Sequence, residues 1–203
     1  MDKDKIYVFD DLLTIEETET IKQTMLGEEF PWYVGYDQFL TAGKDWNEHF
    51  SKFCDTITDY CLMSHVFITK KTINSGLYEH ALPPIQKLCK HLNLGNLDLI
   101  RIKSNFYTKV DKPDDHHQTP HTDDPMDHWV MIYYANDSDG DTFIFNERLK
   151  PYQSYKDISK LTIKQRVPAK QGRMVMFHGS HIHAGSHPMK SDYRMVINYV
   201  FSQ

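Results

Sequence analysis

The sequence predicts a mainly β, α+β fold in which helices come first and a strand-rich half follows. From residue 97 onward, "LDLIRIKSNFYTKV", "WVMIYYAN", "DTFIFN", "GRMVMFHG" and "YRMVINYVF" are short runs rich in Val, Ile, Phe and Tyr. Asp, Asn, Gly and Pro bound them, which is the residue usage of strands and their turns. Ahead of residue 97, several segments carry helix-start and helix-stop residues instead.

The elements follow in order. "IYVFDDLL" (6–13) predicts a short buried strand. In "TIEETETIKQTMLG", Thr14 and Glu17 have capping-box spacing and Gly27 sits at the expected helix end. "HFSKFCDTITDYCLMSHVF" (49–67) predicts a second amphipathic helix. "PPIQKLCKHLNLG" (83–95) predicts a third, opened by prolines and closed by Gly95. Two polar segments interrupt the strands, at 110–120 and 147–166, and loops of that length are commonly functional. No internal repeat is visible.

At 203 residues the chain suits one domain: 1–96 an N-terminal strand and helical buttress, 97–203 the β core. Hydrophobic and charged contents of 40% and 25% are those of a globular protein. No apolar run approaches the ~20 residues of a membrane span. "MDKDKIYVFDD" is too polar and acidic for a signal peptide. Cys54, Cys61 and Cys89 follow neither a disulfide framework nor a CxxC zinc spacing. The cytoplasm is the expected compartment. A net charge of −5 without a dense Lys/Arg tract argues against a protein that wraps nucleic acid.

The compositional anomaly is histidine, with twelve in the chain and a concentration between residues 116 and 187. His121 and Asp123 are one residue apart, a spacing that on a strand points both side chains to one face. Alone it is a weak signal, since a solvated turn before Pro125 would contain the same residues. The distant "GRMVMFHGSHIHAGSHPMKSDYRMVINYVF" supplies His178, His181, His183 and His187. One of them would complete two histidines and a carboxylate, the facial triad that suits non-haem Fe(II). Arg194, at the start of an apolar strand, has the chemistry of a bidentate carboxylate clamp.

Together these segments resemble the Fe(II)- and 2-oxoglutarate-dependent dioxygenases of the prolyl 4-hydroxylase-like group, including small stand-alone bacterial and phage forms. The matching pieces are "PHTDDP", "IYYAN", "DGDTFIF", "GRMVMFHGSHIHAGSHP" and "YRMVINYVF". The resemblance covers residues 97–203, and "IYVFDDLLTIEETETI" is similar to the group's opening strand and helix. It implies a double-stranded β-helix, a cupin-like jelly-roll of two facing antiparallel sheets, with N-terminal helices as support. His121 and Asp123 would then lie near the end of an early strand.

It also implies roles. His121, Asp123 and His183 would hold the iron; the group's pattern is an aromatic residue, here Phe177, then His six positions on, then Arg. Arg194 would grip the distal carboxylate of 2-oxoglutarate, with Tyr134, Tyr107 and Asn105 lining that pocket. The catalytic set is thus His121, Asp123, His183 and Arg194, and His116, His117, His128, His178, His181 and His187 are expected to be loop residues. Two departures are Asp139-Gly140-Asp141-Thr142 in place of the group's Gly-Gly-Glu-Thr turn, and a slightly longer step from His183 to Arg194.

The implied activity is hydroxylation by Fe(II), 2-oxoglutarate and O2, with ascorbate as a candidate reductant, releasing succinate and CO2. The implied substrate is a prolyl residue of a peptide or protein, with residues 110–120 and 147–166 forming the substrate rim. Two alternatives stay open. One is a nucleobase or small-molecule hydroxylase, using a local basic groove of Lys103, Lys109 and Lys112. The other is a catalytically silent jelly-roll binding module.

Overall fold

A computed structural model describes residues 1–35, 62–95, 97–111, 116–149 and 160–202. The first predicted strand narrows to β1 (Tyr7–Phe9), and α1 spans Ile15–Leu26. Thr14 caps α1 as expected. Its hydroxyl accepts from the Glu17 N–H at 3.1 Å and its own N–H donates to the Glu17 carboxylate at 2.8 Å. Gly27 ends the helix by turning extended, at φ −62°, rather than left-handed.

The segment 49–67 departs from expectation. Residues 49–61 lie outside the described residues, and Leu62–Thr69 is a strand, β3, not the end of a helix. The pairing partner explains the difference. β3 aligns antiparallel to β5 (Asp98–Thr108), with Ser64 opposite Asn105, and buries Leu62, His65, Phe67 and Ile68. Cross-strand packing of this kind overrides a helix-like periodicity. β2 (Tyr33–Gly35) and β4 (Thr72–Ile73) also pair with β3. The N-terminal half therefore contributes strands as well as helices.

After a 3-10 turn at Tyr78–Ala81, α2 spans Pro83–Leu92 with its prolines in the first turn. It closes at Asn93, in the left-handed conformation at φ 51°, and not at Gly95. Asn tolerates that region because its short polar side chain bonds locally.

The remaining strands are β6 (Trp129–Tyr134), β7 (Ser138–Arg148), β8 (Ile163–Ala169), β9 (Met174–His178), β10 (His181–Gly185) and β11 (Tyr193–Ser202). The 147–166 segment is thus not one loop. β7 runs into it and β8 begins within it, while residues 150–159 lie outside the described residues, as do 112–115 of the other segment.

Two sheets result. The larger has the order β1-β9-β6-β11-β5-β3-β2, with β4 beside β3; the smaller is β10-β7-β8. Alternation sorts the side chains. Met131 and Tyr133 of β6, with Met195, Ile197 and Tyr199 of β11, face a core shared with Ile21 and Met25 of α1 and Ile85 and Leu88 of α2. Their neighbours Val130, Ile132, Tyr134 and Val196 face the smaller sheet and meet Ile144 and Val167. The helices therefore buttress one sheet, and the gap between sheets holds a second apolar layer. No helix among the described residues is long and apolar enough to cross a membrane.

Candidate metal centre

His121 and Asp123 do not share a strand. His121 forms an isolated antiparallel bridge with His183 of β10, and Asp123 lies in the bend beyond it. The bridge consists of His121 N–H to His183 carbonyl and the reverse, both at 2.9 Å. It sets the two imidazole centroids 4.7 Å apart. Each Nδ1 faces a main-chain carbonyl, Thr119 at 2.9 Å for His121 and His181 at 3.3 Å for His183. Protonated there, both rings turn Nε2 inward as a lone-pair donor.

The Asp123 side chain is only 4% exposed. Its Oδ2 lies 3.3 Å from His183 Nε2 and accepts from Asn198 Nδ2 at 3.1 Å. Its Oδ1 pairs with the Arg101 guanidinium, which also donates to Asn198 Oδ1. Burial alone would raise this carboxyl, but Arg101 and then the histidines outweigh it and hold it well below the usual carboxylate range. Burial, then the neighbouring His183, pushes His121 down to about 4. At neutral pH the site is therefore an ionised carboxylate beside an uncharged His121, the protonation states that metal ligation requires.

One ligand atom from each of His121, Asp123 and His183 lies within 4.8 Å of the others. Ligands ~2.1 Å from an ion and at right angles are ~3 Å apart, so small adjustments bring all three onto one cation.

Beside these three groups a cavity opens between the sheets, with about 460 Å3 of space free of protein atoms, part of it continuous with solvent. β5 lines it with Arg101, Lys103, Asn105 and Tyr107, and β11 with Arg194, Val196 and Asn198. Arg194 is 1% exposed. Its Nη2 donates to Thr142 Oγ1 at 2.9 Å, and its guanidinium carbon lies 4.7 Å from the Tyr107 ring centre. Nε and Nη1 are buried without an acceptor. A buried cation with unused donors is costly unless an anion joins it. The donor trio and this guanidinium fit a cation with a carboxylate-bearing molecule laid between them.

Of the other expected pocket residues, Tyr107 and Asn105 are on the cavity wall, and the Asn105 Oδ1 has no partner. Tyr134 is fully buried one layer behind, donating to Thr142 Oγ1 at 2.7 Å. Thr142 therefore receives both Tyr134 and Arg194, a junction that sequence inspection missed. Arg101 and Asn198 were missed as well. Stepping by two along β5 from Tyr107, or along β11 from Arg194, would have reached them.

Two of the remaining histidines, His178 and His181, are strand residues rather than the loop residues expected, while His128 and His187 lie in loops as expected but are buried there. His178 ends β9 against Asp127 at 2.9 Å, and His181 opens β10 with its Nε2 3.0 Å from Arg148 Nη2. His187 is 1% exposed with Nδ1 2.7 Å from the Thr108 carbonyl, and His128 is buried against Gly179. Their aromatic bulk and carbonyl partners make them packing residues. His117 is half-buried against Phe143 and Phe145.

Neither a protein-family model nor a curated protein sequence matches the chain. Solved structures do. The non-haem α-ketoglutarate-dependent epimerase SnoN from nogalamycin biosynthesis superposes with a TM-score of 0.62 at 13% identity, covering 99% of this chain and 79% of that one. A prolyl hydroxylase from Trichoplax adhaerens, solved with a hypoxia-inducible-factor peptide fragment, gives 0.61 at 11% identity over 98% and 83%. A Pseudomonas putida prolyl-4-hydroxylase gives 0.53 at 12% over 98% and 92%. The shared fold is the double-stranded β-helix. Identities this low carry the fold and not the chemistry, so the reaction has to be argued from the site.

Proposed function

We propose that the chain is an Fe(II)- and 2-oxoglutarate-dependent dioxygenase that hydroxylates a C–H bond of its substrate. One observation carries the reading: two imidazoles and a carboxylate converge beside a buried guanidinium that has no anionic partner among the described residues. His121, Asp123 and His183 would hold the metal, and Arg194 would take the far carboxylate of 2-oxoglutarate, with Tyr107 and Asn105 beside it and Tyr134 bracing from behind through Thr142. SnoN, whose fold this chain shares, has been solved with Fe3+ and α-ketoglutarate. When bound, the pair supplies the oxidising chemistry, consuming O2 and releasing succinate and CO2.

The chain's own residues do the rest. Arg101 and Asn198 fix the Asp123 carboxylate so that a single geometry is offered. The bridge between His121 and His183 fixes two ligand directions through the main chain. Three protein ligands leave further positions open for a chelating cosubstrate and for oxygen. The apolar layer around Ile132 and Val196 limits water beside the reacting groups.

For substrate, we place a prolyl residue of a peptide or protein first, as two of the similar structures are prolyl hydroxylases. A small-molecule or nucleobase substrate is the second reading, supported by the SnoN likeness and the cationic cavity wall. The silent binding module is disfavoured by the presence of all three ligands and the arginine. The single domain assigned to residues 1–203, with its catalytic core at 97–203, and a cytoplasmic setting belong to the same proposal, the latter supported by the free thiol of Cys89.

The test is anaerobic addition of Fe(II) and 2-oxoglutarate. A weak visible charge-transfer band is expected, absent in His121→Ala and Asp123→Ala. Turnover of 2-oxoglutarate is then compared with proline-rich peptides and with single-stranded DNA and RNA. Stimulation by nucleic acid alone would defeat the prolyl reading, and no band at all would favour the silent module.

A further inference from the structure

The cavity wall holds more positive charge than the proposed reaction uses. Arg101, Lys103 and Arg194 face it, and among the described residues the one acidic residue on the wall is Asp123. With both imidazoles neutral, as ligation requires, the wall has a surplus of two positive charges. A divalent ion and a dianionic cosubstrate cancel each other, so filling the site as proposed leaves that surplus unchanged.

The three cations are not equivalent. Arg194 is matched by the cosubstrate, and Arg101 is partly matched by Asp123, although its Nε is buried without an acceptor. Lys103 feels Asp123 only at a distance, and that carboxylate is already paired with Arg101. The lysine sits between Arg101 and Asn105 on the cavity face of β5, is half-buried, and among the described residues meets no carboxylate. Lysines are rarely withdrawn from water without a partner, and placing one beside an arginine adds repulsion. Opposite it in the β5–β11 register stands Asn198, whose side chain is committed to Asp123 and Arg101 and so offers Lys103 little relief.

We propose that Lys103, with Arg101 beside it, forms an anion subsite of this cavity that takes a carboxylate of the substrate. The oxidised prolyl residue would then carry a free α-carboxylate or be followed by an acidic side chain. The inference rests on the oxygenase reading of the same site. It adds a recognition element: a negative group on the substrate, drawn into a cavity of positive surplus, that neutral peptides lack.

The experiment measures binding apart from turnover. Protein loaded with catalytically inert Zn(II) and 2-oxoglutarate is titrated calorimetrically with four probes. These are N-acetylproline, its neutral amide, and capped N-acetyl-prolyl-glutamate beside its glutamine counterpart. We expect one carboxylate probe to bind at least 10-fold more tightly than its neutral partner, with the preference weakening in high salt. Which probe wins assigns the source of the carboxylate. Lys103→Met should erase the preference and Lys103→Arg should retain it, while the charge-transfer band with Fe(II) persists in both. Equal or undetectable binding of charged and neutral probes, with the wild-type band intact, overturns the subsite alone. Loss of the wild-type band overturns the oxygenase reading instead.

Discussion

His121 and His183 are held together by their own main chains, N–H to carbonyl in both directions at 2.9 Å. Removing one imidazole therefore leaves the bridge in place. His121→Ala should fold with little loss of stability, yet lose its response to metal. A ligand at 100 times its Kd stabilises a protein by about 2.7 kcal/mol, or roughly 5–10 °C in a chain of this size. Anaerobic melting with Fe(II) should show that rise in the wild type and none in His121→Ala. Equal rises in both would remove His121 from the metal.

Arg101 reaches the metal centre only through Asp123, so its role separates from that of the ligands. Arg101→Met leaves the buried carboxylate without its cation, a loss of about 3 kcal/mol for a broken buried pair. The misdirected carboxylate should weaken metal binding by about 10- to 100-fold. Competition against a chromophoric chelator measures the affinity. Urea unfolding of the metal-free proteins measures the stability, and excess metal should restore part of it. Unchanged metal affinity would reduce Arg101 to a structural residue.

Arg194 gives the opposite balance. Its Nε and Nη1 are buried with no acceptor, so the metal- and ligand-free fold carries an unpaired cation. Arg194→Met keeps the side-chain length and removes that charge, at the loss of the bond to Thr142. We expect stability unchanged or higher by about 1 kcal/mol, since apolar replacement of buried charge is often neutral or stabilising. Affinity for 2-oxoglutarate should fall by about 100-fold or more, the charge-assisted contact being worth about 3 kcal/mol. A destabilised variant with normal 2-oxoglutarate affinity would show the arginine to be a scaffold element.

The cavity beside Arg194 depends on a missing side chain. A Cβ at Gly185 would lie 3.0 Å from Arg194 Nη1 and 3.2 Å from the Tyr107 hydroxyl. Gly185→Ala should thus crowd the cosubstrate end of the cavity and raise KM for 2-oxoglutarate about tenfold, the equivalent of about 1.4 kcal/mol. At Gly140 a Cβ would meet the Ser186 carbonyl at 2.8 Å, a main-chain clash that cannot relax cheaply. Gly140→Ala should therefore cost about 1–3 kcal/mol of stability. Thermal melting beside steady-state kinetics separates the two outcomes.

Much of this was legible in the chain, for reasons that differ by element. β6, β9 and β11 are covered on both faces and so read as unbroken apolar runs. β8 did not. In "IKQRVPA" only Val167 and Ala169 are buried, and Pro168 has no N–H to give a ladder. The HIHAG of β10 was hidden by its histidines, which pack inside the protein rather than in solvent. His121 and Asp123 showed as a spacing, but Arg101, Thr142 and Asn198 acquire meaning only through pairing. Asn198 stands opposite Lys103, and Arg194 opposite Tyr107. No local pattern encodes that register.

Asp139, in the segment expected to be a turn but found at the start of β7, ties down the connection that leads to Arg194. Its carboxylate accepts from the N–H groups of Met189, Lys190 and Ser191, at 3.0, 2.9 and 2.8 Å, in the connection that leads into β11. Burial alone would raise its carboxyl, but these three donors outweigh it and hold it at about 2. The unfolded value is about 3.9. A folded value below the unfolded one means stability that is present above pH 4 and lost as the pH falls toward 2. Asp139→Asn should lower stability at pH 7 by about 1–2 kcal/mol, because a neutral amide accepts less strongly from the same donors. Its difference from the wild type should shrink as the pH is lowered from 5 to 2. Urea midpoints at intervals across that range provide the comparison. A difference that stays constant with pH would mean that the 189–191 connection is held by shape alone and that the carboxylate charge contributes nothing to it.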